Sequence, residues 1–255
     1  MERGVSSKRV KVRCHLPPES WIDSMVRVSG NQAHHLIHVL RVKPGMTVTC
    51  FDGQGMEAAA VVEEVGRREV ALRLKERRAL PDRLWHLALG MAVPRHGKLD
   101  EVIDQATQLG ASDLVPLLTH RGVVKLSVAD GEKKQSRWKQ IAIEAGKQSE
   151  VTRLPKIHPA VRWKDFIGSW AGAGYDLVLI AAVEGPHESL SGLVSDGAAR
   201  SVLVLVGPEG DFTPEEIQQA VQAAAPPISL GANVLRCETA AVVAMALVIY
   251  LMDSR

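Results

Sequence analysis

Two glycine-containing loops carry the residue types that could do chemistry. The first is Gly207-Pro208-Glu209-Gly210-Asp211-Phe212, within VLVLVGPEGDFTPEEIQQAVQAA. It is neither GxGxxG nor a P-loop ending in GK[ST]. Its two acids, Glu209 and Asp211, either interact with the N-terminus of the helix that follows or create a field that repels phosphate and favours a cationic ligand. The second loop is Leu230-Gly231-Ala232-Asn233-Val234-Leu235-Arg236-Cys237, leading into Glu238-Thr239 and an apolar helix. Arg236 places a charge just before that helix. It either pairs with Glu209 or Glu238, or it faces a carboxylate or a developing negative charge.

The elements that must position these loops are legible around them. Val202–Val206 and Leu177–Val183 are unbroken apolar runs, and Leu84–Val93 and Leu114–Leu118 also read as strands. Such runs are strands buried on both faces, which belong to parallel sheets covered by helices. Helix-period segments alternate with them: Lys98–Leu109, with Gly110 as its C-cap, and Lys133–Gln148. Thr213, Pro214 and Glu216 form an N-cap, a first-turn proline and a capping box, with Ile217, Ala220, Val221 and Ala224 as the buried face. Alternating strands and helices predict an α/β domain, and open α/β sheets bind ligands at the carboxyl ends of their strands.

The first part of the chain reads differently. Met25–Val28, Met46–Phe51, Met56–Val65 and Glu69–Leu74 are short β runs punctuated by turns, with one helical piece, Asn31–Leu40. They predict a small barrel or sandwich. The polar stretch Lys75–Arg83 is the expected linker, and the boundary is placed between 78 and 79. Residues 1–78 carry 14 Lys and Arg against 9 Asp and Glu, whereas 79–255 carry 17 against 20, so the basic part is the one expected to meet a polyanion.

Other features exclude classes. The N-terminus has no apolar h-region, so no secretory signal is expected. The apolar run Ala240–Met252 is shorter than the ~20 residues a membrane span needs, and reads as a helix buried against this chain or a partner. Three widely spaced cysteines, without CxxC, argue against a disulfide framework and a zinc site and fit a reducing cytoplasm. His34 and His38 have i,i+4 spacing, but no HExxH accompanies them, so a surface or RNA-facing helix is expected and no metal. No GxSxG occurs. Aromatics are 4% of the chain, too few for a binder that stacks base after base.

GPEGDF followed by SLGANVLRCETAA resembles the paired signature of the RsmE family of 16S ribosomal RNA uridine N3-methyltransferases, whose forms are GPEGG(F/L) and LGxRxLRxETA. HHLIHVLRVKPG from His34, KLDEVIDQATQLGASDLVPLLTHRGVVK from Lys98 and RWKQIAIEAGKQSEVTRLPKI from Arg137 resemble further segments of that family, so the likeness runs over residues 10–252. The resemblance implies an α/β SPOUT fold, a mostly parallel sheet with a trefoil knot and helices on both faces, preceded by a PUA-like β-barrel that helps bind RNA. It implies S-adenosylmethionine as methyl donor, 16S ribosomal RNA or the small subunit as partner, and a homodimer with its active site at the subunit interface. It points to Ala182, Gly207, Pro208, Gly210, Leu230, Gly231, Asn233, Leu235 and Thr239 as cofactor contacts. Arg236 is the expected anion-stabilising cation, with Glu209 or Glu238 as base unless solvent takes the proton. Arg13, Arg41, Arg67, Arg68, Arg121 and Arg153 are the expected RNA contacts. Asp211, Asn233 and Glu150-Val151-Thr152 depart from the family pattern. The competing expectations are a non-catalytic RNA-binding module on the same fold and a dinucleotide-dependent oxidoreductase, which lacks its glycine fingerprint.

Overall fold

The computed structural model describes residues 12–122, 128–169, 174–194 and 199–254. The chain divides into two units, one of residues 1–82 with 146–153, the other of 83–145 with 154–255.

The first unit holds β1 (Arg13–His15), β2 (Met25–Ser29), α1 (Gly30–His34) continued by a π-helical turn His35–Val39, β3 (Thr47–Phe51), β4 (Met56–Val65) and β5 (Glu69–Ala79). The sheet order is β1-β3-β4-β5-β2. Pairing is antiparallel except for β1 with β3. Register shifts at Ala58/Ala60 and Val62/Glu64 mark irregularities of the kind that bend and twist a ladder, which suits the PUA-like curled sheet. Strand β2 alternates exposed and buried residues, so one face carries the core of Val26, Val28, Leu36, Val48, Val62 and Leu72. Lys75–Ala79, expected as linker, is strand. It pairs with the start of β4 through Ala58↔Arg77 and Met56↔Ala79.

The second unit runs β6 (His86–Ala92), α2 (Lys98–Leu109), β7 (Asp113–Leu118), α3 (Val128–Gln148, its last turn lying with the first unit), β8 (Lys156–Ile157), β9 (Val161–Arg162), α4 (Trp163–Ile167), β10 (Leu177–Ala181), α5 (Leu190–Val194), β11 (Ser201–Val206), α6 (Pro214–Gln222), β12 (Pro227–Ile228) and α7 (Cys237–Asp253). The strands pair in parallel in the order β12-β10-β11-β6-β7-β8, with β9 also on β7. Alternate residues enter two cores. Leu87, Leu89, Val202 and Val204 pack with α2, α3, α5 and α7. Ala88, Leu203, Leu205 and Ile180 pack with Trp163 and Phe166 of α4 and Ala220 of α6. Helices on both faces are what unbroken apolar strands require.

The helix signals worked to different depths. Gly110 C-caps α2 at φ 80°. Thr213 and Glu216 form the reciprocal capping box on α6. The expected face of α6 is shorter than anticipated: Ala220 is buried, but Val221 is 48% exposed and Ala224 lies past the helix end. Helix α7 is buried along Ala241, Ala244, Met245 and Val248, but Ala246, Leu247 and Tyr250 are exposed. Among the described residues, no helix is long and apolar enough to cross a membrane.

Candidate functional site

Strands β10, β11 and β12 are neighbours, so their carboxyl ends deliver three loops to one place. Ala181–Gly185, Val206–Phe212 and Ser229–Leu235 line a cavity of about 860 Å³, with Arg121, Cys237 and Ala240 completing part of its wall. The turns at Gly207 and Gly231 therefore share one cleft. Gly231 stands at φ +125°, outside the range of ordinary side chains.

The glycine loop is braced from several sides. The Asp211 N–H donates to Pro208 O at 2.9 Å and closes a turn. Asp211 Oδ1 accepts from the Phe212 N–H at 2.8 Å, and Oδ2 accepts from the Val183 N–H at 2.9 Å. Arg121 Nη1 donates to Gly210 O at 2.6 Å and Phe212 O at 3.2 Å. Glu209 Oε1 accepts from the Arg95 N–H at 3.0 Å, tying the loop to the turn after β6. Below it, Glu216 caps α6 and also accepts from the His120 N–H at 2.8 Å.

The charge of the cleft follows. Glu184, Glu209 and Asp211 line it, and the lining cation, Arg121, directs its guanidinium to loop carbonyls. The field favours a cationic ligand over a phosphate. Cys237 lines the cleft as a neutral thiol. Burial, then the hydrogen bond with Glu238 and the Glu209 charge, push it up to about 12. Glu238 is held below the usual carboxylate range by its own backbone N–H, the Cys237 thiol, and the charges of Lys98 and Arg236. Lys98 Nζ lies 3.9 Å from Glu238 Oε1 and 2.9 Å from Glu101 Oε1.

Of the expected cofactor positions, Ala182, Gly207, Pro208, Gly210, Leu230, Gly231, Asn233 and Leu235 line the cleft, and so does Glu209. Thr239 does not: it is exposed on the first turn of α7, beyond the lining residues. Arg236 is the exposed N-cap of α7, between lining residues Leu235 and Cys237. Sequence reasoning missed Val183, Glu184, the Arg95 amide and the bridging role of Asp211. No pattern of types announces a backbone donor or a left-handed aspartate.

Three of the expected RNA contacts make hydrogen bonds within the chain, Arg13 buried, Arg153 half-exposed and Arg121 exposed. Arg13 is 5% exposed and donates to Gly146 O, Val151 O and Thr152 Oγ1, with its guanidinium 4.4 Å from the centre of the Phe51 ring. Arg153 covers Gly55, whose Cβ would fall 2.3 Å from the guanidinium carbon. It also binds Gln54 O, Leu80 O and Asp82. Arg121 braces the glycine loop. Arg41, Arg67 and Arg68 are exposed on the first unit. His34 and His38 are exposed with ring centroids 4.6 Å apart, and among the described residues no group of three potential ligands could hold a metal.

A family model described as an RNA methyltransferase domain matches residues 81–249, and one described as an RNA methyltransferase PUA domain matches 28–75. The chain is 32% identical over 240 residues to ribosomal RNA small subunit methyltransferase E of Rickettsia conorii, covering 93% of each chain. It is 30% identical over 257 residues to the protein of that name from Synechocystis, covering 99% of this chain and 82% of the other. It superposes with TM-score 0.86 and 26% identity on a methyltransferase from Legionella pneumophila solved with bound cofactor SAM, covering 94% of this chain and 97% of that one.

Proposed function

Because this chain belongs to the RNA methyltransferase family that includes the ribosomal RNA small subunit methyltransferases E, we propose that it methylates N3 of a uridine in 16S ribosomal RNA. The methyl donor is S-adenosylmethionine. The observation that carries this reading is the convergence of three strand ends on one acidic cleft of about 860 Å³. Its donors fit the ligand: glycines let the backbone approach, and the acids suit a sulfonium and an ammonium. The likeness to a SAM-bound structure supports the same ligand.

Gly207, Gly210, Leu230, Gly231 and Leu235 are placed to hold the donor largely through backbone groups. Bound S-adenosylmethionine supplies an electrophilic methyl on a sulfonium centre. The chain must then orient the uracil and deal with the N3 proton. N3 lies on the pairing edge, so the base is presented unpaired or splayed. Arg236 stabilises the uracil anion from the lip of the cleft. The proton leaves to Glu209, to Glu238 or to water, and orientation supplies much of the remaining rate. Arg41, Arg67 and Arg68 hold the RNA backbone.

The exposed Ala246, Leu247 and Tyr250 stripe on α7 supports a homodimer that covers it. Sedimentation should then return twice the 27.7 kDa chain mass, and a monomer would contradict it.

Mass spectrometry of 16S ribosomal RNA from cells lacking the gene tests the function. Loss of one N3-methyluridine, restored by the gene, is expected. An unchanged modification pattern would overturn the assignment, and donor binding without transfer would leave an RNA-binding module.

A further inference from the structure

Asp211 stands at φ +60°, in the left-handed region that glycine enters freely and other residues rarely adopt. Its neighbours explain why a carboxylate sits there. The last paired residues of β10 and β11 are Ala181 and Val206. Beyond them the two chains leave the ladder as cleft-lining loops. The bond from the Val183 N–H to Asp211 Oδ2, at 2.9 Å, rejoins them. The other carboxylate oxygen accepts from the Phe212 N–H at 2.8 Å, so one side chain fixes its own loop and the next one. Both Val183 and Asp211 line the cleft.

We propose that Asp211 is a positioning residue that holds the loops after β10 and β11 in ligand-ready register, so that the methyl donor meets a preformed cleft. A preformed site avoids the ordering cost that a loose loop would add to binding. The proposal deepens the methyltransferase reading and rests on it for the identity of the ligand.

The test uses the full-length protein and D211G. Glycine accepts the backbone angle, so the substitution removes the side-chain bonds without strain, and a melting curve checks that the fold is kept. In the ligand-free protein, hydrogen exchange at the Val183 amide is expected to speed up in D211G, while exchange at the β11 core amides stays slow. Calorimetry with S-adenosylmethionine is expected to give about tenfold weaker binding in D211G. Turnover should show a larger rise in KM for the donor than fall in kcat. D211N, which keeps one oxygen acceptor, is expected to lie between. Unchanged Val183 exchange, or native donor affinity in D211G, would overturn the proposal. If the native protein itself binds no donor, the functional reading fails, and the Val183 exchange rate still decides whether Asp211 joins the loops.

Discussion

Gly207 has no side chain because Asp211 occupies its space: a Cβ on residue 207 would fall 2.9 Å from Asp211 Oδ1 and 2.9 Å from the Phe212 nitrogen. The glycine and the aspartate are therefore one device. The first closes the turn tightly, and the second uses the room to bridge to Val183.

Gly207→Ala should accordingly displace the glycine loop. We expect donor affinity to fall by about tenfold or more, since a forced shift of packed backbone costs ~1–3 kcal/mol. Isothermal calorimetry checks this. Gly131→Ala is the control, because nothing lies within 4 Å of its added Cβ.

Arg236 caps α7 between two lining residues, with its side chain exposed. Arg236→Ala should lower kcat by roughly 10²–10³-fold, the range for losing one preorganised stabiliser of developing negative charge. Donor affinity should change little. Single-turnover rates alongside calorimetry separate the two, and a variant with native turnover would remove Arg236 from the chemistry.

Exposed and buried arginines of the first unit should behave oppositely. Arg67→Ala with Arg68→Ala should weaken RNA binding and flatten its salt dependence by about two phosphate contacts at most, leaving the melting temperature nearly unchanged. Arg13→Ala should lower the melting temperature, because it leaves Gly146 O and Val151 O without their buried donor. Salt-dependent binding curves and thermal melts distinguish the classes.

At the amino ends of the sheet, Asp113 accepts from His158 Nε2 at 2.5 Å and from His86 Nε2 at 2.7 Å. Burial pushes this carboxyl up, but the bonds from His158 and His86, with their charges, outweigh it and hold Asp113 well below the usual carboxylate range. A depressed acid contributes stability that is complete above its unfolded pKa of about 3.9 and lost as pH falls through the folded value. Asp113→Asn should therefore cost about 1–3 kcal/mol at neutral pH, with the deficit shrinking in acid. Melting curves from about pH 5 to about pH 3 follow it, and a deficit growing as the pH falls through that range would contradict the assignment.

Much of this site was legible in the sequence because its signals are local. The apolar run Val202–Val206, the glycine turn and the Thr213–Glu216 capping box follow one another directly along the chain, and each constrains its neighbours. What stayed hidden depends on distant partners. Arginine is rarely buried, so Arg13 is expected as an exposed RNA contact, whereas its acceptors near residue 150 hold it buried. Lys75–Ala79 is polar and exposed, as a linker would be, and becomes strand only by pairing with β4. β8 and β9 are two residues each, too short for any periodicity. The approach of the Gly231 turn to the Gly207 turn comes from sheet order, with β12 beside β10, and strand order is not written in hydrophobic pattern.

Titrating purified native protein with S-adenosylmethionine in a calorimeter tests the central claim most directly. Saturable binding at one site per chain, weakened about tenfold or more in Gly207→Ala, is the predicted result. An absence of binding heat, together with no ligand-induced rise in melting temperature, would contradict the account.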